Sequence, residues 1–139
     1  MSTEFCINLA LRKSSRLVTQ FYNERLAGVG LKVGQFSILR AVDFQKETSN
    51  KELQGILVID QTTLTRNLKL LVRDEILQLK LSPSDGRIKM ISLTRKGKAL
   101  YEEALPIWKK AQKDICKKMG KGEAEHILGL ADQLVKALA

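Results

Sequence analysis

The stretch from Asp60 to Asp74, DQTTLTRNLKLLVRD, constrains this chain more than any other. Leu64, Leu68, Leu71 and Val72 recur at the spacing that lines one side of a helix with apolar groups. Thr62, Arg66, Lys69 and Arg73 fall on the opposite side, with Thr63 and Thr65 on the flanks. Asp60 stands where its carboxylate can accept a first-turn amide and start the helix. A helix of this kind must pack on its leucines and leave a row of hydroxyls and cations exposed. The neighbouring segments are therefore expected to hold and present it.

Those segments carry their own punctuation. Ser49-Asn50-Lys51-Glu52 is a capping box, which predicts a short helix with Leu53, Ile56 and Leu57 inward. A few residues then lead to Asp60, so two short capped helices follow one another as a helix-turn-helix. After Asp74 the apolar period changes from the helical one to two: Leu77, Leu79 and Leu81 alternate with Gln78 and Lys80. The turn-forming SPSDGR and an alternating IKMISL complete a β-hairpin with its loop at Ser82 to Arg87. Directly after a helix-turn-helix, such a hairpin is a wing.

Longer helices flank this unit. Ile7, Ala10, Leu11, Ser14, Leu17, Val18, Phe21 and Tyr22 form a stripe over Phe5 to Ala27, ended by Gly28 and Gly30. A second helix begins near Val33, turns Phe36, Leu39 and Val42 inward, and stops at the polar KETSN. Thr94 caps a long helix with Leu100, Ala104, Ile107, Trp108, Ala111, Ile115 and Met119 on one side. Pro106 is expected to bend that helix, and Gly120 and Gly122 to break it. Ile127, Ala131, Leu134, Val135 and Leu138 mark the last one. The expected fold is mainly α with a small β-hairpin wing: six helices and a winged helix-turn-helix in one domain, 1–139. The terminal stripes exceed what a unit this small needs to cover, so segments 1–30 and 100–139 are expected to bury them against a second copy. Residues 33–98 form the winged unit.

Charge indicates the partner. The chain carries 24 Lys and Arg against 15 Asp and Glu, a net +9. Ten of the basic and five of the acidic residues lie between Lys51 and Lys98, so over half of the excess surrounds the capped helix and hairpin. A polyanion is the expected partner. The major groove of B-DNA admits one helix and offers distinguishable base edges. Thr62 and Thr65 can donate, accept or touch a thymine methyl. Arg66 can take a guanine or a phosphate, Lys69 a phosphate, and Gln61 either a base or the backbone. In the hairpin loop, Arg87 suits the negative potential of a narrow minor groove. Asp85 can brace it, and Gly86 is expected to supply permissive backbone. An ordinary surface ion pair is the plainer reading of Asp85 and Arg87. Lys89, Arg95, Lys96 and Lys98 are candidates for backbone contacts that steepen the salt dependence.

Other classes find little support. No apolar run is long enough for a bilayer, and Glu4, Arg12 and Lys13 do not bracket a signal-peptide core, so a cytoplasmic protein is expected. Cys6 and Cys116 lie far apart and His126 stands alone, which offers no structural disulfide, metal site or cofactor site. No Gly-rich phosphate loop, nucleophile–base set or carboxylate cluster suggests an enzyme.

With these pieces in order, the chain resembles the MarR family of winged helix-turn-helix regulators. The matching strings are GLKVGQFSIL, KEL, DQTTLTRNLKLL, DGR and SLTRKGKAL, which together span nearly the whole chain. The resemblance implies a homodimer built from the terminal helices and a palindromic double-stranded DNA operator. It implies repression relieved by a small molecule or an oxidant. It assigns Thr62, Thr63, Thr65 and Arg66 to the recognition helix and Asp85 and Arg87 to the wing. A ligand pocket is implied near Leu9, Arg16, Phe36 and Trp108. Cys6, near the start of the first helix, is the redox position of one branch of the family. Here Phe36 stands where that branch places supporting tyrosines, and a small buried hydrophobe is the alternative reading. Three positions depart from the family: Gln54 replaces a small residue, and Val58 and Glu75 stand where glycines are usual. A sequence-tolerant architectural DNA binder and a winged-helix protein-interaction module are the competing functions.

Overall fold

A computed structural model describes residues 5–139; Glu4, used above in reading the amino terminus, lies outside them. The order is α1 (Ile7–Leu26), a 3₁₀ turn (Ala27–Val29), α2 (Val33–Gln45), α3 (Asn50–Leu57), α4 (Gln61–Arg73), β1 (Leu77–Leu81), β2 (Lys89–Leu93), α5 (Arg95–Met119) and α6 (Lys121–Leu138). Among the described residues these are the expected six α-helices and one hairpin.

Side-chain chemistry sets most boundaries. The Ser49, Asp60 and Thr94 side chains accept the amides of Glu52, Thr63 and Gly97, which starts α3, α4 and α5. Glu52 completes its box with hydroxyls: its carboxylate accepts from Ser49 Oγ at 3.3 Å and Thr48 Oγ1 at 3.4 Å. Gly120, at φ +94°, separates α5 from α6. Gly122 lies inside α6 and breaks nothing. Pro106 sits within an unbroken α5; its missing N–H removes only one helical hydrogen bond.

The core gathers Phe36, Ile38, Leu39 and Val42 of α2, Leu53 of α3 and Leu64, Leu68 and Leu71 of α4 around Leu77, Ile91 and Tyr101. Phe36 stacks on Tyr101 at 5.6 Å and on Trp108 at 5.4 Å between ring centroids. Ile56, expected inward, is exposed, because Leu53 and the half-buried Leu57 already fill the inner side of this two-turn helix. The hairpin pairs Leu77 with Leu93 through Leu81 with Lys89. Only its base reaches the core: Leu77 is buried, whereas Leu79 and Leu81 on the same face are exposed. The KETSN segment does more than end α2. Buried Thr48 exchanges both backbone hydrogen bonds with Ile91, at 3.0 and 2.6 Å, and so adds a one-residue bridge to the sheet.

The terminal helices are different. Only Tyr22 and Leu26 of α1 are buried, and no residue of α6 is. Leu17 is 68% exposed and Leu138 82%. Alpha-1 is tied to α5 near its carboxyl end by Arg25 and Asp114, 3.8 Å apart, and by the Tyr22 hydroxyl donating to Gln112.

Candidate nucleic-acid interface

Alpha-4 has the two faces its sequence requires. Leu64, Leu68 and Leu71 are buried, each contributing about 1.5–3 kcal/mol of apolar burial. Gln61, Thr62, Arg66, Lys69 and Arg73 are exposed, while Thr63 and Thr65 are half-buried at the edges. Hydrogen bonds from Thr63 hold the Asp60 carboxyl below the usual aspartate range, and the Arg66 charge adds to the effect. Arg73 is tied to Asp74, Nε to Oδ1 at 3.1 Å. Among the described residues, Arg66 and Lys69 form no ion pair, so their charges face outward unneutralised.

The ends of α3 and α4 keep a glycine-type geometry without glycine. After α4, Ile76 N–H donates to Leu71 O at 2.9 Å and Glu75 N–H to Val72 O at 3.0 Å. This is a Schellman closure with Glu75 at φ +61° in its left-handed position. After α3, Ile59 N–H reaches Gln54 O at 3.3 Å, with Val58 at φ +50°. Gln54 is half-buried and donates through Nε2 to Asn50 Oδ1 at 2.5 Å. The departures at Val58 and Glu75 therefore strain the backbone while preserving the path that aims α4.

At the tip of the hairpin, Arg87 donates from Nε to Asp85 Oδ1 at 3.1 Å and from a terminal nitrogen to Oδ2 at 3.2 Å. Its amide also reaches Asp85 Oδ1, at 3.0 Å. The side chain is 91% exposed and held by that carboxylate. The same contacts keep the Asp85 carboxyl below its ordinary range. Gly86 does not adopt a positive φ. The turn closes from Ile88 N–H to Asp85 O at 3.0 Å, so the special backbone expected of Gly86 is not used.

The remaining cations divide. Arg95 is exposed, and Lys89 lines a cleft of about 560 Å³ between α4 and the hairpin, together with Asn50, Leu68, Val72 and Leu79. Lys96 and Lys98 have partners within the chain: Lys96 Nζ donates to Asp74 O at 3.0 Å, and Lys98 pairs with Asp43 of α2. The hydrogen bond to Asp43 raises the Lys98 pKa. Neither pairing is visible in sequence, since the partners stand 22 and 55 positions away. A second cleft, about 580 Å³, lies between α2, the end of β2 and α5, beside this Lys98–Asp43 pair.

Of the four expected pocket residues, the fold brings Phe36 and Trp108 into stacking contact. Arg40, which the sequence reading did not select, lays its guanidinium over the Trp108 ring at 4.3 Å. Leu9 and Arg16 are exposed on α1 and line neither cleft. Cys6 is exposed at the start of α1 in the single chain, beside the exposed Phe5, Ile7 and Leu9. Among the described residues, no set of His, Cys, Asp or Glu is grouped to hold a metal.

The profile of the MarR family matches residues 31–89, from just before α2 to the first residue of β2. An uncharacterized HTH-type transcriptional regulator of Bacillus subtilis, YwoH, is 30% identical over 93 residues, 67% of each chain. The chain belongs to the MarR family. Its resemblance to this family extends beyond the winged unit. The HTH-type transcriptional repressor NicR of Pseudomonas putida is 26% identical over 90% of this chain and 79% of its own. The M. tuberculosis transcriptional regulator MOSR, solved in complex with DNA, superposes with a TM-score of 0.82 at 29% identity, covering 96% of this chain and 99% of that one. As in its MarR-family relatives, the fold is mainly helical with one antiparallel hairpin, and no described helix is long and apolar enough to cross a membrane.

Proposed function

We propose that this chain is a cytoplasmic, homodimeric, sequence-specific DNA-binding transcriptional repressor whose DNA affinity falls when a small molecule binds. The observation that carries the reading is the outward face of α4, with its unpaired Arg66 and Lys69 beside Thr62 and Thr65, next to an arginine held at the hairpin tip. In this reading α4 enters the major groove through Gln61, Thr62, Thr63, Thr65, Arg66 and Lys69. Asp85-braced Arg87 enters the minor groove. Segments 1–30 and 100–139 dimerise and 33–98 contacts DNA. The exposed apolar residues of α1 and α6 support a twofold partner, which buries both stripes at once. A twofold pair presents two reading helices to successive major grooves about 34 Å apart, which requires a palindromic operator. NicR, itself named a repressor, supports that direction of control. An inducer lowers affinity by favouring a spacing of the two α4 helices that no longer fits those grooves. Phe36 and Trp108, with Leu9 and Arg16 of α1, are its proposed surroundings. Cys6 remains a candidate oxidant switch, and Cys6→Ser abolishes peroxide-induced release from DNA if it acts as one.

The test is a mobility shift with a palindromic fragment from upstream of the gene itself and a scrambled duplex of equal length. Strong preference for the palindrome is expected, and Arg66→Ala with Arg87→Ala abolishes it. Equal shifts of the two duplexes would overturn sequence-specific readout in favour of an architectural binder.

A further inference from the structure

The first turn of α5 grips the far end of α4. Three successive carbonyls follow the reading helix, and each is taken by the start of α5. Lys96 Nζ donates to Asp74 O at 3.0 Å. The Thr94 hydroxyl donates to Glu75 O at 2.5 Å, and the Thr94 amide to Ile76 O at 3.1 Å. The same hydroxyl accepts the Gly97 amide at 2.9 Å, so one side chain both caps α5 and holds the exit of α4. Gly97 completes the junction: a Cβ there would lie 1.9 Å from Ile76 O. The end of a helix carries the negative pole of its dipole, so an ammonium is favoured there as donor and as charge. The corner is therefore stiff. Alpha-5 runs on from it for 25 residues, a lever of about 37 Å that ends at Gly120, before α6.

We propose that Lys96 is a positioning residue: it serves DNA binding by fixing the exit of α4 through the Asp74 carbonyl, and not by neutralising a phosphate. This rests on the reading of α4 as the DNA-contacting helix. An exposed lysine beside a DNA-binding surface is ordinarily counted as a phosphate contact, and the two roles leave different signatures. A lost phosphate contact makes the salt slope shallower by about 0.9 and weakens all sequences alike. A loosened α4 exit leaves the slope unchanged and weakens only the duplex whose bases α4 must meet in register.

The experiment compares full-length wild type, Lys96→Met and Lys96→Arg. The probes are a duplex selected by the wild type from a random-sequence pool and a scrambled control, each over a range of salt. Lys96→Met is expected to bind the selected duplex roughly threefold to tenfold more weakly, the magnitude of one ordinary hydrogen bond, because this one is exposed to solvent. Its affinity for the scrambled duplex and its salt slope stay at the wild-type values, and Lys96→Arg restores discrimination. Amide hydrogen exchange at Glu75 and Ile76 is expected to quicken in Lys96→Met. A slope shallower by about one unit, with both duplexes weakened equally, would overturn the proposal. So would unchanged affinity for the selected duplex. If the wild type itself fails to discriminate, sequence-specific function falls, and the exchange rates alone decide: faster exchange upholds the grip, unchanged exchange refutes it.

Discussion

Glycine at position 58 is expected to be more stable than alanine there, reversing the usual order. Val58 has φ +50° and ψ +52°, where the Cβ of an L-residue crowds the following carbonyl. That crowding costs about 1–2 kcal/mol. Elsewhere glycine is the poorer choice by roughly 0.5–1 kcal/mol, because it loses more backbone freedom on folding. At this site the two effects leave Val58→Gly above Val58→Ala by about 0.5–1 kcal/mol. The lost packing is small, since Val58 is 58% exposed. Val58→Gly is then at least as stable as the wild type, with a midpoint gain of roughly 2 °C. Thermal and denaturant unfolding at one fixed protomer concentration measure this, since the stability of a dimer depends on concentration. Alanine more stable than glycine at position 58 would show that the residue is relaxed, and the argument for strain at the entry to α4 would fail.

Gly97→Ala is expected to cost more than about 3 kcal/mol, because its Cβ would meet a backbone oxygen at 1.9 Å and no side chain can yield; failure to recover folded protein, or a collapse of the melting temperature, checks it. Asp60 has a depressed pKa in the folded state, so its contribution to stability is present above about pH 3.8 and is lost as the pH falls through the lower, folded value. Asp60→Asn keeps an acceptor but does not titrate, so denaturation from about pH 5 to about pH 2 is expected to show the wild type losing ground against it. Leu64→Ala, at a fully buried position, is expected to lower stability by about 2–5 kcal/mol, whereas Thr62→Ala on the opposite face of α4 leaves the melting temperature unchanged and weakens DNA binding.

Features that depend on one side chain and its nearest amides were legible in the sequence. Asp60, Ser49 and Thr94 cap where they stand because an oxygen three positions ahead of an amide is a local arrangement. The hairpin followed from the change of apolar period, and the Asp85–Arg87 brace from two residues two positions apart. Glycine misled at Gly86 and Gly122, since freedom of backbone permits a turn without demanding one. Thr48 joining the sheet, Tyr101 stacking on Phe36 and the partners of Lys96 and Lys98 were not legible. Each depends on segments distant in sequence meeting at a set distance. Terminal stripes read the same whether their partner is the same chain or another one, and among the described residues most of α1 and most of α6 stay uncovered.

The carboxylate behind Arg87 has a kinetic consequence. By cancelling part of the guanidinium charge it weakens the long-range pull on a passing polyanion, yet it spares the arginine the loss of rotamer freedom on docking. On the proposed reading, in which Arg87 meets DNA, the hairpin tip is thus built for slow departure and not for fast arrival. A chain without Asp85 would capture duplexes sooner and let them go sooner still.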